Sequence, residues 1–282
     1  TDTLQNIRLE LQAFPTINSS IAVLNWNPWL KGDTVTTYDV WVEAPQNSGQ
    51  WTQLGSTVDF TWTDTVAFCG SWLNYQVRYN VSCESSKDSG YFSDKTAPAA
   101  VVFDSVTVAG GNLGGMSWAA SKDSDVVYYV IYREDNSGFL VPIDSITSAN
   151  YAASMPYVYG LSNAGNQKET YVITAVDSCG NQSSVGNTVP SSTIFMQLGV
   201  DPCDGYARLR WNTYSEWSQS QVAEYNLYAD ITDPIGGTIT GVLLKGGNLD
   251  TTFNHYGIIN GYSYCYYVQA VDTTGTRTRL SS

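Results

Sequence analysis

Three tryptophans recur at nearly equal spacing along the 282-residue chain. Trp26, Trp118 and Trp211 are separated by 92 and 93 residues, and each ends a short strand-like segment. A polar loop and then a tyrosine-led segment of alternating apolar and polar residues follow each of them. Such alternation, rich in β-branched and aromatic residues, is typical of β-strands. The chain is therefore predicted to be one all-β unit repeated three times.

A further shared strand appears later in each unit, at residues 75–79, 171–175 and 266–270. Aligning the last residues of these segments gives spacings of 96 and 95 residues, so the period holds at both ends of the unit. This length is too great for a solenoid repeat and matches a β-sandwich of about 100 residues. We predict three tandem immunoglobulin-like β-sandwiches, at residues 1–95, 96–190 and 191–282, with a proline near each joint.

The three repeated tryptophans are expected to centre the three cores, because each lies in an apolar strand at the same place in its unit. Replacing a buried tryptophan by alanine costs about 3–5 kcal/mol. Trp41, Trp51, Trp62 and Trp72 alternate within strand-like segments and are predicted to be mainly packing residues.

The composition limits the classes of partner and the cellular compartment that are expected for this chain. The chain carries 26 acidic and 13 basic residues, with no cluster of lysine and arginine, whereas phosphate binding needs a basic surface. Nucleic acid is therefore not a predicted partner. No apolar run approaches the about 20 residues needed to cross a bilayer, so no membrane span is predicted. The low charge density, abundant Ser, Thr, Asn and Tyr, and polar start indicate a mature segment of a secreted bacterial protein.

The five cysteines favour disulfides over a metal site. No CxxC arrangement occurs and His255 is the only histidine, so zinc is not predicted. Cys203 precedes a tryptophan strand and Cys265 lies near the start of a tyrosine-rich strand; these places meet at one end of a sandwich. We therefore predict a Cys203–Cys265 disulfide, which would stabilise the third unit by about 4 kcal/mol.

Cys69 has two candidate partners. Cys83 lies in the same unit, but a strand spanning about 26 Å separates the two, so this pairing is strained. Cys179 lies in a loop of the second unit predicted to point back at the first, and a Cys69–Cys179 bridge would lock that joint and leave Cys83 unpaired. A third possibility is that some of these cysteines are buried free thiols.

Several segments resemble a known family. They are Leu-Asn-Tyr-Gln-Val at 73–77, Phe-Ser-Asp at 92–94, Tyr-Val-Ile-Tyr-Arg at 129–133, Leu-Ser-Asn-Ala-Gly-Asn at 161–166, Ala-Val-Asp-Ser-Cys-Gly-Asn at 175–181 and Asp-Pro-Cys at 201–203. The strand order around a core tryptophan resembles the fibronectin type III sandwich. More specifically, these segments resemble repeats of gliding-motility-associated surface proteins of Bacteroidetes, and Cys203 and Cys265 match that pattern. The resemblance implies export by type IX secretion, with the sorting domain outside this segment.

No arrangement in the sequence predicts catalysis. A catalytic triad would have to use His255, which lies near a turn, and no nucleophile elbow is present. The pairs Asp123 with Asp125 and Asp201 with Asp204 are interpreted as solvated turn residues, because glycosidase chemistry needs two acids across a deep cleft. The chain is therefore predicted not to be an enzyme and to need no cofactor.

Calcium is a second possibility for the acidic loop. Asp123 and Asp125, joined by Asp177, offer hard oxygen ligands. Two or three carboxylates fall short of the six to eight oxygens that calcium takes, so no metal site is predicted.

Trp29 and Trp217 are the candidate binding residues. Both lie in polar loops after a core tryptophan, where an exposed indole can stack on a sugar or anchor a protein partner. Burial in a domain joint is the alternative role for Trp217.

Two functional hypotheses follow. The first, which we favour, is a non-catalytic extracellular rod that spaces, displays or attaches other parts of a large surface protein, whose other domains are its partners. The second is an accessory module of a secreted hydrolase that binds a surface glycan or peptide through Trp29.

Overall fold

A computed structural model describes residues 9–12, 20–28, 37–66, 68–79, 83–152, 157–201, 203–214, 221–274 and 278–281. Within these ranges the regular structure consists of 22 β-strands and two short 3₁₀ turns, at Ser148–Asn150 and Val185–Asn187. No helix in the described part of the chain is long and apolar enough to span a bilayer.

The first sandwich contains β1 to β8. The strands are β1 (Leu9–Gln12), β2 (Ile21–Trp26), β3 (Tyr38–Glu43), β4 (Trp51–Thr57), β5 (Thr61–Thr65), β6 (Ser71–Tyr79), β7 (Cys83–Glu84) and β8 (Asp88–Phe92). One sheet has the order β1-β2-β5, and the other has the order β4-β3-β6-β7, with β8 also paired to β6. Alternate residues of β2 and β3 are buried, which places one face of each sheet in the core.

The second sandwich contains β9 to β15. The strands are β9 (Phe103–Ala109), β10 (Leu113–Trp118), β11 (Val126–Glu134), β12 (Leu140–Thr147), β13 (Tyr157–Val158), β14 (Thr170–Asp177) and β15 (Ser191–Ser192). The sheets have the orders β13-β10-β9 and β12-β11-β14-β15.

The third sandwich contains β16 to β22. The strands are β16 (Met196–Asp201), β17 (Tyr206–Trp211), β18 (Val222–Thr232), β19 (Thr238–Asn248), β20 (Thr252–Tyr256), β21 (Ser263–Asp272) and β22 (Thr278–Leu280). The sheets have the orders β16-β17-β20 and β19-β18-β21-β22.

The same strand order therefore occurs three times. If the strands of each unit are lettered A, B, C, C′, E, F and G, one sheet is A-B-E and the other is C′-C-F-G. This is the order of the fibronectin type III sandwich, an immunoglobulin-like architecture. Each unit has its own cluster of buried apolar side chains. The prediction of three tandem immunoglobulin-like sandwiches is confirmed.

One predicted boundary differs from the strand pairing. Ser191 and Ser192 form β15 and pair with Tyr171 and Thr170, so the second sandwich extends past residue 190. By compactness the chain divides into two units: residues 1–97 with the segment Asp177–Asn181, and residues 98–176 with 182–282. The second unit thus contains both the second and the third sandwich.

The repeated tryptophans are buried, with 6%, 1% and 7% of Trp26, Trp118 and Trp211 exposed. Each forms an edge-to-face pair with a tyrosine of the next strand; the pairs are Trp26–Tyr38, Trp118–Tyr129 and Trp211–Tyr225, with ring centroids 5.4–6.1 Å apart. The indole Nε1 of all three has no hydrogen-bond partner. These side chains therefore stabilise the cores through volume and aromatic packing.

A buried serine marks the last strand region of each sandwich. Ser85, Ser183 and Ser281 lie 98 residues apart at each step. Each donates its backbone N–H to a carbonyl of strand F and accepts that same residue's N–H with its hydroxyl, at 2.8–2.9 Å. The hydroxyl thus pairs a backbone donor that would otherwise be buried without a partner.

Candidate functional site

The two candidate binding tryptophans, Trp29 and Trp217, lie outside the described residues. Their proposed contact with a glycan or protein therefore stays a prediction.

The other strand tryptophans do not all pack. Trp72 is 53% exposed and forms an edge-to-face pair with Tyr91, with centroids 6.0 Å apart. The interpretation of Trp72 as a packing residue is therefore wrong, since its position in β6 faces outward. The Arg78 guanidinium lies 4.4 Å from the ring centroid of Trp41, and this pair covers part of the outer surface.

The disulfide joins Cys69 to Cys179, with Cα atoms 4.7 Å apart. Cys83 is free and half-buried. Cys69 precedes β6 while Cys83 pairs with Tyr79 at the opposite end of that strand. Nine residues of extended strand span about 30 Å, so the two sulfurs are too far apart to bond.

A tight turn presents Cys179. Asp177 is buried, and its Oδ1 accepts the backbone N–H groups of Cys179 and Asn181, both at 2.8 Å. Gly180 has φ +82°, which closes the turn in a conformation that favours glycine. The side-chain amide of Asn181 (Nδ2) donates to Asp177 Oδ2 and to the backbone carbonyl of Asp94. The sequence Asp-Ser-Cys-Gly-Asn thus positions Cys179 through side-chain to backbone hydrogen bonds.

The predicted Cys203–Cys265 disulfide is wrong: both thiols are free and exposed. Cys203 lies in the turn between β16 and β17, in one sheet. Cys265 lies in β21 of the other sheet, where Tyr266, Val268 and Ala270 are the buried, alternating positions. Because successive side chains of a strand point to opposite faces, Cys265 points out of the sandwich and away from the first sheet.

A tyrosine of strand F is hydrogen-bonded to a polar partner in every sandwich. Tyr75 donates to Asp64 at 2.8 Å, Tyr171 donates to Glu169, and Tyr266 lies 2.9 Å from His255 Nδ1. Asp64 and His255 hold equivalent places in strand E, opposite Ala22 and Ala207. His255 therefore lies in strand β20 and is a structural partner of Tyr266 in β21. The sequence predicts instead that it lies near a turn, on the approach to a loop.

Burial shifts the pKa of two of these partners. It raises the pKa of Asp64, although the Tyr75 hydrogen bond opposes the shift. It also lowers the pKa of His255, so the imidazole at neutral pH is the uncharged form. The uncharged imidazole avoids an uncompensated charge inside the third sandwich.

The second sandwich instead buries a charged group. Glu169 is 2% exposed and accepts hydrogen bonds from Ser162, Tyr171 and the Asn163 N–H, while Arg133 Nη1 lies 2.8 Å from its Oε1. Burial raises the pKa of Glu169, but these hydrogen bonds and the Arg133 charge outweigh it and leave the pKa below its usual value. Glu169 is thus a fully paired buried carboxylate.

The buried carboxylates among the described residues are all engaged in structural hydrogen bonds. They are Glu43, Asp94, Glu169, Asp177 and Asp272, and each accepts from a neighbouring side chain or backbone N–H. Asp123 and Asp201, from the two predicted acid pairs, are also engaged: Asp123 accepts the Ala99 N–H, and Asp201 accepts the Cys203 and Asp204 N–H groups of the turn that follows it. None of these groups is a free acid or base at the base of a cleft.

Tyr214 joins the second and third sandwiches, which share one compact unit. It is 3% exposed, and its hydroxyl accepts the Val106 N–H at 3.1 Å and donates to the Val106 carbonyl at 2.9 Å. Its own N–H donates to the Tyr225 hydroxyl at 2.7 Å. Nothing in its sequence neighbourhood distinguishes Tyr214 from the other 19 tyrosines, so this link was missed.

We expect Tyr214→Phe to lower the free energy of unfolding by about 1–3 kcal/mol, because it leaves the Val106 N–H and carbonyl buried without a partner. Urea unfolding of the full chain measures the loss. Tyr262→Phe is the matched control, since that side chain is 36% exposed. Equal small effects of the two substitutions would contradict the role assigned to Tyr214.

The chain was compared with protein families, curated proteins and solved structures. The chain matches no protein-family model and no curated protein. Among solved structures, it is similar to the FN1–FN3 domains of chicken CNTN1, with 11% identity, a TM-score of 0.31 and coverage of 98% of this chain and 97% of that one. It is also similar to the central fibronectin-III array of RIM-binding protein, with 12% identity, a TM-score of 0.24 and coverage of 100% and 96%. The repeated A-B-E and C′-C-F-G sheets establish the fold: a tandem array of three fibronectin type III-like sandwiches.

Proposed function

We propose that this chain is a non-catalytic segment that spaces or displays other domains of a large extracellular protein. The observation that carries the proposal is that the same sandwich fold occurs three times. Its buried polar groups form hydrogen bonds within the fold, where they hold strands together. The Tyr75–Asp64 and Tyr266–His255 pairs join strand F to strand E. In the second sandwich Tyr171 donates to Glu169, just before strand F, and Arg133 of strand C binds the same carboxylate. A catalytic site needs polar groups that face a substrate, and these do not.

The disulfide supports an extracellular setting. Bonds of this kind form and persist in oxidising compartments and are rare in the cytosol. The resemblance to gliding-motility-associated repeats extends the proposal to a bacterial cell-surface protein exported by type IX secretion. The partners of this segment are then the other domains of that parent protein. By spacing those domains, the segment would help the parent protein attach to a surface.

Mechanical stretching tests the proposal, since a spacer must keep its length under load. We expect separate unfolding events as single molecules are pulled from their two ends. With the disulfide closed, the chain between positions 69 and 179 stays looped, so the extended molecule is shorter by roughly 370 Å than after reduction, at about 3.4 Å per residue.

The Cys83→Ser variant is the control, because Cys83 is a free thiol and its loss leaves the bridge intact. Smooth extension at low force without discrete events would contradict a mechanical role, as would equal final lengths before and after reduction.

A further inference from the structure

The outer face of the A-B-E sheet of the third sandwich carries basic and aromatic side chains. In β17 and β20 every second residue is exposed or half-exposed, and the residues between them pack into the core. The outward residues, which we call the arginine face, are Gln197, Gly199, Asp201, Tyr206, Arg208, Arg210, Thr252, Asn254 and Tyr256. The Asp201 carboxylate lies opposite Tyr206, at the end away from Arg210, and accepts the Cys203 and Asp204 N–H groups. Successive outward residues of a strand are about 7 Å apart, so Tyr206, Arg208 and Arg210 extend over about 14 Å.

The two arginines of this face have no ion-pair partner among the described residues. The ion pairs among the described residues are Arg78–Glu84, Arg133–Glu169 and Lys245–Asp250, and neither Arg208 nor Arg210 has a carboxylate partner there. Their cross-strand neighbours are Asn254, Thr252, Gln197 and Gly199, which are uncharged. The chain as a whole has a net charge of −13. Arg208 and Arg210, neighbours on one face and without an ion pair among the described residues, therefore form a small positive region on an acidic chain.

A groove adjoins the arginine face. It has a volume of about 300 Å³ and is lined by Lys168, Phe195, Gln197, Arg210, Trp211 and Asn212. Lys168 adds a third cation that has no ion-pair partner among the described residues. The volume lies at the lower end of the range for small-molecule sites, which suits one or two sugar rings better than a large ligand.

Two tyrosines lie at the other end of the face. The Tyr206 and Tyr256 rings are 5.2 Å apart at 38°, and Tyr256 is 65% exposed. Asn254 donates to the Tyr256 hydroxyl at 3.2 Å and orients that ring. Exposed tyrosines present a flat apolar surface with a polar edge, on which a sugar ring can stack.

We propose that the arginine face and its groove bind an acidic polysaccharide whose sugars carry carboxylates. A guanidinium matches a carboxylate with two parallel hydrogen bonds, and Arg208 and Arg210 offer two such forks. The amides of Gln197 and Asn254 supply donors and acceptors for hydroxyl groups, and Tyr256 supplies the stacking surface. Binding here is independent of the mechanical role: a segment that yields easily to force would still bind, and a stiff one need not.

Nucleic acid fits this face less well. A protein that holds a phosphate backbone makes about six to ten phosphate contacts. The arginine face and its groove together have three cations, on an acidic chain. A carboxylated glycan demands fewer cations because its charge density is lower. Repulsion from the rest of the acidic surface is screened beyond about 8 Å at physiological salt.

Titration calorimetry of the full chain with oligogalacturonate tests the proposal, with the methyl-esterified oligomer as the neutral match. We expect binding of the acid form that weakens as salt is raised, and little binding of the ester. Arg210→Ala should weaken binding roughly tenfold or more, the effect of losing a hydrogen-bonded charge pair. Arg210→Lys should retain an intermediate affinity, and Tyr256→Ala should weaken binding of the acid form without changing its salt dependence.

Lys122→Ala is the matched control, since it removes one exposed positive charge from the second sandwich outside the arginine face. Thermal melts establish that each variant remains folded. The proposal is overturned if the wild type does not bind oligogalacturonate, if Lys122→Ala weakens binding as much as Arg210→Ala, or if the methyl ester binds equally. Equal or tighter binding of dextran sulfate, single-stranded DNA or polyglutamate would also overturn it, by showing a general preference for polyanions.

Discussion

We expect the double variant Cys69→Ser, Cys179→Ser to unfold with a free energy about 4–5 kcal/mol below that of the oxidised wild type. The bridge closes a loop with a sequence separation of 110 residues. A loop of this length greatly restricts the unfolded chain, and its release on the chain-entropy model corresponds to about 4.7 kcal/mol. Changing both cysteines avoids a leftover thiol that could form another disulfide.

Urea unfolding of the intact chain measures this loss, with fluorescence and circular dichroism followed together because several domains need not unfold in one step. Reduction of the wild type should produce the same shift, whereas Cys83→Ser should leave the midpoint unchanged. A double variant as stable as the wild type would contradict the stabilisation expected from restricting the unfolded chain.

We expect Glu169→Gln to destabilise the second sandwich by about 3–5 kcal/mol, the usual cost of breaking a buried ion pair by removing one partner. The amide removes the negative charge that Arg133 binds. Its N–H₂ group takes the place of one oxygen, so it faces either Ser162 and Tyr171 or the Asn163 N–H and Arg133, all of which are donors here. Glu134→Gln is the matched control, because Glu134 is exposed on the neighbouring strand. Comparable effects of the two changes would refute the importance of the buried carboxylate.

The same group gives a pH dependence of known sign. The pKa of Glu169 in the folded protein lies below its usual value, so the unfolded chain takes up the proton first. Its stabilising contribution is full above the unfolded pKa, about 4.3, and declines as the pH falls through the folded pKa. Wild-type stability should therefore fall in acid more steeply than that of Glu169→Gln. Parallel pH profiles for the two proteins would contradict this assignment.

The fold was largely predictable because each sandwich needs the same large residues at the same places. Trp118 and Tyr129 pack edge to face at 5.4 Å, and the equivalent pairs recur in the other sandwiches, so the spacing of tryptophan and tyrosine reports a packing requirement. The outward direction of Cys265 also follows from the sequence, since buried and exposed residues alternate along its strand.

Other features could not be read from the chain. Asp64 follows Trp26 by 38 residues, whereas His255 follows Trp211 by 44, because the loops differ in length. Their equivalence appears only when strand E pairs with strand B, opposite Ala22 and Ala207. Likewise, Tyr214 reaches Val106 across 108 residues, and no local pattern indicates a contact at that separation.

By itself the amino-acid sequence determined the all-β class, the three units and their tryptophan-centred cores, because local alternation and a regular period of large apolar residues require only short-range information. Only the tertiary structure decided which cysteines pair, which tyrosines find a polar partner and which arginines share an open face. Those outcomes depend on which strands become neighbours and on the side to which each residue turns, and both are established when the sheets assemble.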